Sequence, residues 1–253
     1  MWRWFEHNQV YCPSRVLEAE PKTLGRPFEE VWLTSEDQVR LHGWFFPGGG
    51  QNGRTQLAFL LLHGNAGNIS HRLGFCEAWL GLGVSVFLFD YRGYGCSGGR
   101  PSESGTYLDA QAAYRWLRAK GFAPKQIIAF GKSLGGGIAS ELALRERLGG
   151  LVLQSTFTSI PAVGKEFFPW LPVSLLSTIK YDTVERLPRI KVPLLILHSR
   201  DDAVVRYHHA ERNFRAANDP KMFWEISGGH TSVLEGGREH YLRGLDRYLS
   251  AYF

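Results

Sequence analysis

The 253-residue sequence predicts an α/β fold: a mostly parallel sheet of eight strands with helices on both faces. Three observations carry that expectation. Short apolar runs alternate with longer stretches of helical spacing, which is how a parallel sheet covered on both sides reads in sequence. The length is enough to bury such a sheet within one unit, 1–253. Hydrophobic residues make up 44% and charged residues 21%, a balance that fits neither a disordered nor a fibrous chain.

In order, strands are expected at 30–33, 39–46, 57–63, 84–90, 126–130, 151–154, 194–198 and 222–226, the first two antiparallel. Helices are expected at 72–82, 104–120, 134–147, 207–217 and 234–249. Within 104–120, Tyr107, Leu108, Ala112, Trp116 and Leu117 recur at helical spacing as a packing face, and Gly121 supplies the stop. The glycine-rich run 47–53 reads as a flexible turn. One stretch breaks the alternation. Positions 157–188 are rich in proline and aromatics, including Phe167, Phe168, Pro169, Trp170, Leu171 and Pro172, and read as a small lid inserted between two strands.

The formal charge of +5 comes from 29 basic and 24 acidic residues mixed along the chain, a mild bias toward anionic surfaces. Without a basic stripe or recognition motif, nucleic acid is not expected as a partner, and no protein partner is evident. Cys12, Cys76 and Cys96 are odd in number and scattered, which makes neither a disulfide framework nor a zinc site and fits a reducing compartment. Cys96 sits in a glycine-rich loop, where a small residue filling a turn is favoured over a reactive thiol. No apolar run approaches a membrane span, and the start, from Met1 through Trp2, Arg3, Trp4 and Phe5 to His7, lacks a signal-peptide core. A cytoplasmic protein is expected. Its N-terminal segment either folds back on the body or makes a peripheral membrane contact through its aromatics.

The chemistry starts at the segment from Ile127 to Gly137, an apolar strand that runs into Gly131-Lys132-Ser133-Leu134-Gly135 and then a helix. A serine at such a sharp turn is strained, and only small residues two places to either side avoid a clash. GxSxG alone is a weak signal, but bounded by a buried-type strand and a helix it points to Ser133 as a nucleophile. A serine hydroxyl needs a base, and the base needs a carboxylate to hold its tautomer.

After the strand at 194–198, the loop Ser199-Arg200-Asp201-Asp202 offers two carboxylates; Asp202 is assigned as the acid and Asp201 as a solvated turn residue. After the last strand, Ser227-Gly228-Gly229-His230 presents one histidine ahead of the final helix, and His230 is assigned as the base. His63 and His198, at strand ends, read as structural. The adjacent His208 and His209 are not expected to share a helix face for a metal, and no metal or cofactor is called for. Oxyanion-hole donors are expected from the backbone N–H groups of Leu134 and of Asn65, in the turn from His63 to Asn68.

Five blocks now stand together: Leu61–Asn68 (LLHGNAGN); Phe89 to Gly95 with Ser97, Gly98 and Pro101 to Glu103; Gly131–Gly136 (GKSLGG); the Asp202 loop; and the His230 loop. In these the chain resembles the small serine hydrolases of the α/β-hydrolase superfamily, a group including protein depalmitoylases and bacterial esterases. The resemblance implies the α/β-hydrolase fold and an esterase or thioesterase acting on acyl groups. It supports Asp202, since similar proteins place the acid four residues after the histidine that here is His198. The chain differs from them at Ser199, where glycine is usual, and at Thr231, where asparagine is common.

The expected reaction is hydrolysis of a small-molecule acyl ester or thioester through acyl-Ser133, with Phe167, Phe168 and Trp170 lining an acyl pocket. The alternatives are a serine peptidase of the same fold and a catalytically silent binding protein.

Overall fold

Strands that bury both faces are largely apolar, and the interior strands of this chain are, with polar residues such as Ser85, Lys132, Gln154 and His198 at or near their ends. In a computed structural model that describes residues 2–49 and 53–253, all eight expected strands form one sheet. Met1 and positions 50–52 of the glycine-rich turn lie outside the described residues.

In chain order the strands are β1 (Cys12–Pro13), β2 (Glu29–Thr34), β3 (Arg40–Phe46), β4 (Ala58–Leu62), β5 (Ala66–Gly67), β6 (Ser85–Phe89), β7 (Ile127–Lys132), β8 (Gly150–Gln154), β9 (Leu194–Ser199) and β10 (Lys221–Ile226). The helices are α1 (Trp2–Val10), α2 (Leu73–Leu80), α3 (Glu103–Ala119), α4 (Leu134–Arg145), α5 (Ile160–Phe167), α6 (Val173–Leu176), α7 (Thr183–Arg186), α8 (Tyr207–Ala216) and α9 (Val233–Tyr252). The main sheet runs β10-β9-β8-β7-β4-β6-β3-β2, and β3 alone lies antiparallel to its neighbours. This is the α/β-hydrolase arrangement that was expected.

Alternation along β7 shows how the core divides. Ile127 and Ala129 point to one side, with residues of α3, α4 and α8; Ile128 and Phe130 point to the other, with residues of α2 and α9. The chain leaves β4 for β6 on one side and returns to β7 on the other. The order therefore reverses around β4 and β7, and their outgoing loops open a crevice at the carboxyl edge of the sheet.

Two features went unread in the sequence. Helix α1 docks chiefly through a buried carboxylate: Glu6 accepts hydrogen bonds from the N–H and hydroxyl of Thr178, the Ser177 hydroxyl and the Ile179 N–H, while Trp2 Nε1 donates to the Leu176 carbonyl and the His7 ring lies 3.0 Å from the Pro101 carbonyl. The bonds to Glu6 outweigh the burial that pushes its pKa up, and the net shift is downward. Behind α1, β1 pairs in parallel with β5, tying the start of the chain to the loop after β4.

The stretch 157–188 carries three short helices between β8 and β9. Its ends are built into the body, with Phe157, Tyr181, Thr183 and Leu187 buried; the central part, with α5 and α6, lies over the crevice. Among the described residues, no helix is long and apolar enough to cross a membrane.

Candidate active site

The turn between β7 and α4 places Ser133 at φ 52°, ψ −116°, a region that costs a non-glycine residue about 1–3 kcal/mol. Close packing forces it there. A Cβ on Gly135 would lie 1.8 Å from the Leu62 carbonyl oxygen, and one on Gly131 would lie 2.5 Å from the Gly136 Cα. The small residues on either side of the serine thus let β7, α4 and the end of β4 meet.

Two loops bring partners to this hydroxyl. His230 Nε2 lies 3.0 Å from Ser133 Oγ, and His230 Nδ1 lies 2.8 Å from Asp202 Oδ2. The other Asp202 oxygen accepts the N–H groups of Val204 and Val205 at 3.0 and 2.8 Å. Burial raises the Asp202 pKa, but the bond and charge of His230, the Val205 N–H and nearby His198 together hold the carboxyl below its usual range. Asp201 is exposed, with its N–H on Ser199 Oγ, as a turn residue should be.

The histidine loop is shaped by Gly228, whose φ of +94° favours glycine, and by Ser232, whose hydroxyl accepts the Gly229 N–H at 3.0 Å. Lys132, just before the serine, is buried and donates from Nζ to the His230 carbonyl at 3.0 Å. Burial draws its pKa down to about 8, with Arg72 pushing the same way and Asp202 opposing. The sequence reading passed over this residue because the motif leaves its position open.

Gly64 packs against Ser133: a Cβ there would sit 3.6 Å from Ser133 Cβ. The loop after β4 therefore borders the serine, and Asn65 and Leu134 both line the adjoining cavity. The Leu134 N–H, first in its helix, has no intrahelical acceptor.

The Asn65 loop is held from behind. Tyr94 donates its hydroxyl to the Asn65 carbonyl at 2.8 Å, Tyr91 donates to the His63 carbonyl at 3.1 Å, and the Cys12 N–H donates to the Asn65 carbonyl at 3.0 Å. The Asp90-to-Gly95 block, read only as a mark of resemblance, is therefore a prop for this loop.

The cavity beside Ser133 has a volume of about 310 Å³ and is lined largely by apolar side chains. Phe167 and Phe168 line it, as do Trp2 and Phe5 of α1. Trp170 does not. It lies 74% exposed and packs edge-on against Phe168, because Pro169 and the turn before α6 carry it outward.

His63 and His198 are buried at strand ends, as expected. The His63 ring packs on Tyr91 at 4.3 Å, and His198 Nε2 donates to the Val205 carbonyl at 2.7 Å. The expectation for His208 and His209 fails. Although the two are adjacent at the start of α8, their rings stack at 4.4 Å, and the Nε2 atoms of both lie 3.0 Å from Glu166 Oε1 on α5. A helix-face argument counts only Cα directions, whereas an acceptor on another element lets two long rings converge.

All three cysteines are free. Cys76 is buried, and burial raises the pKa of Cys96, which suits a turn-filling residue better than a reactive thiolate.

A model described as the alpha/beta hydrolase fold matches residues 58–173. An uncharacterized protein of Mycobacterium tuberculosis is 38% identical over 241 residues, 93% of this chain and 85% of that protein. The alpha/beta hydrolase domain-containing protein WAV2 of Arabidopsis thaliana is 33% identical over 277 residues, 98% of this chain and 88% of that protein. Among solved structures, an esterase of Pyrococcus furiosus superposes with a TM-score of 0.77 at 25% identity, covering 96% of this chain and 98% of its own.

Proposed function

The chain belongs to the α/β-hydrolase family, and on that premise we propose that it is a serine hydrolase that cleaves carboxylic esters or thioesters of acyl groups. One observation carries this reading: a serine at a strained strand-to-helix turn, 3.0 Å from an imidazole that a buried carboxylate holds from behind at 2.8 Å.

In this mechanism Ser133 Oγ attacks the acyl carbon while its proton passes to His230 Nε2. The Asp202 carboxylate keeps the other ring proton on Nδ1 and balances the imidazolium. The N–H groups of Asn65 and Leu134 receive the tetrahedral oxyanion, and an imidazolium proton leaves with the alcohol or thiol. Water, deprotonated by His230, then attacks acyl-Ser133, and the imidazolium returns that proton to Ser133 Oγ as the acid leaves. Every step uses groups of this chain and water.

The apolar cavity, with Phe167 and Phe168 on α5 and its short following turn and Trp2 and Phe5 on α1, suits an acyl chain. Its volume, about 310 Å³, is at the small end for ligand sites and favours short to medium chains. Two aromatic side chains, Trp4 on α1 and Trp170 in the segment over the crevice, are 73% and 74% exposed, and they support a peripheral lipid contact.

The test is hydrolysis of p-nitrophenyl acyl esters of graded length beside a peptide panel, with fluorophosphonate labelling of wild type and Ser133→Ala. Ester turnover and labelling that vanish together in the variant are expected. Cleavage confined to peptides would favour a peptidase, and an unlabelled wild type would favour a silent binding protein.

A further inference from the structure

The cluster formed by Glu166, His208 and His209 lies outside the chemistry above. We propose that it binds one divalent transition-metal cation of the zinc type, pinning helix α5 over the crevice to helix α8 of the body.

Two imidazoles and one carboxylate form a donor set suited to such cations, with water as a fourth ligand. Their ligand atoms all lie within 4.8 Å of one another, and the Nε2 atoms of both histidines lie 3.0 Å from Glu166 Oε1. Metal–ligand bonds of about 2.0–2.1 Å in a tetrahedron separate ligands by roughly 3.3 Å, so only small shifts are required.

His209 supplies an independent sign. Its side chain is wholly buried, yet its Nε2 makes no hydrogen bond; the nearby Glu166 oxygen lies off the line along which the ring would donate. A cation between the two groups would satisfy both.

Behind the His209 ring, the Thr158 hydroxyl lies 2.9 Å from Nδ1 and can accept the proton in the tautomer that frees Nε2. The Thr158 N–H, 3.2 Å from the same nitrogen, favours the other tautomer. Arg206, 3.5 Å from the second Glu166 oxygen, and the charge of Arg212 oppose a cation.

The test is calorimetric titration of tag-free protein with zinc chloride, and cobalt absorption spectra to report the coordination. The expected result is one equivalent, with tetrahedral-type cobalt bands and no displacement by magnesium. His208→Ala, at a half-exposed position, and Glu166→Gln should each weaken binding at least tenfold, while a Cys12→Ser/Cys96→Ser variant keeps it. Ser133→Ala should bind zinc like wild type, so this result is independent of the hydrolase reading. The proposal is overturned if saturable binding is absent at millimolar zinc, if binding is unchanged in both ligand variants, or if it is lost with the cysteines.

Discussion

Lys132 donates from Nζ to the carbonyl of His230 at 3.0 Å, so the residue beside Ser133 also holds the loop that carries the imidazole. Lys132→Met keeps the apolar stem and removes the donor. We expect kcat to fall about tenfold with KM little changed, since small displacements of a reacting group are expensive. The folded-state pKa near 8 lies below the free value of 10.5, so between them the unfolded chain binds more protons and stability rises with pH. Urea melts at pH 7 to 9 should show a steeper rise in wild type than in the variant.

Asp202→Asn should leave the fold in place and lower kcat by about four orders of magnitude, because the amide favours the wrong ring tautomer. In wild type the lowered carboxyl pKa adds stability above the ordinary carboxylate range, and this is lost as pH falls through the depressed value. Acid unfolding followed by circular dichroism should be shallower in the variant.

Tyr94→Phe removes one of two donors on the Asn65 carbonyl and leaves the Cys12 N–H in place. A stability loss of about 1 kcal/mol is expected from the missing bond. If the Asn65 N–H meets the oxyanion, kcat should drop severalfold while KM holds. An unchanged kcat would remove Asn65 from that role.

Gly135→Ala places a Cβ 1.8 Å from the Leu62 carbonyl oxygen, where only backbone movement can relieve the clash. Destabilisation should exceed about 3 kcal/mol, measured by thermal melting or seen as lost soluble yield. A variant as stable as wild type would contradict the close meeting of β4 and α4.

Trp4→Ala/Trp170→Ala should reduce partitioning into phosphatidylcholine–phosphatidylserine vesicles by about tenfold or more, with soluble-ester turnover maintained. Equal sedimentation of wild type and variant with vesicles would remove the lipid contact.

Much of this was legible in the residues. Alternating apolar runs located every strand of the main sheet to within a residue or two, because buried parallel strands leave little freedom in composition. Ser133, Asp202 and His230 could be named because each stands on a loop directly after a strand, where chain order constrains position. What escaped depends on contacts between distant segments. The Glu6 carboxylate on helix α1 binds residues about 170 positions away, and nothing local marks it as an anchor. Trp170 was read with Phe167 and Phe168 from composition alone, but the chain turns between them. The Glu166 cluster needs two helices separated by nearly forty residues to meet, which periodicity within either helix does not reveal.

The distance along the chain between Ser133 and His230, 97 residues, carries a consequence for biosynthesis. As the polypeptide emerges from the ribosome, the hydroxyl and its strained turn come first, and the imidazole follows only with the closing strand and final helix. A nascent chain lacking that tail has a serine with no base to draw off its proton. On the proposed function, turnover would arrive only once the last strand has joined the sheet, and would report on the integrity of the sheet as a whole.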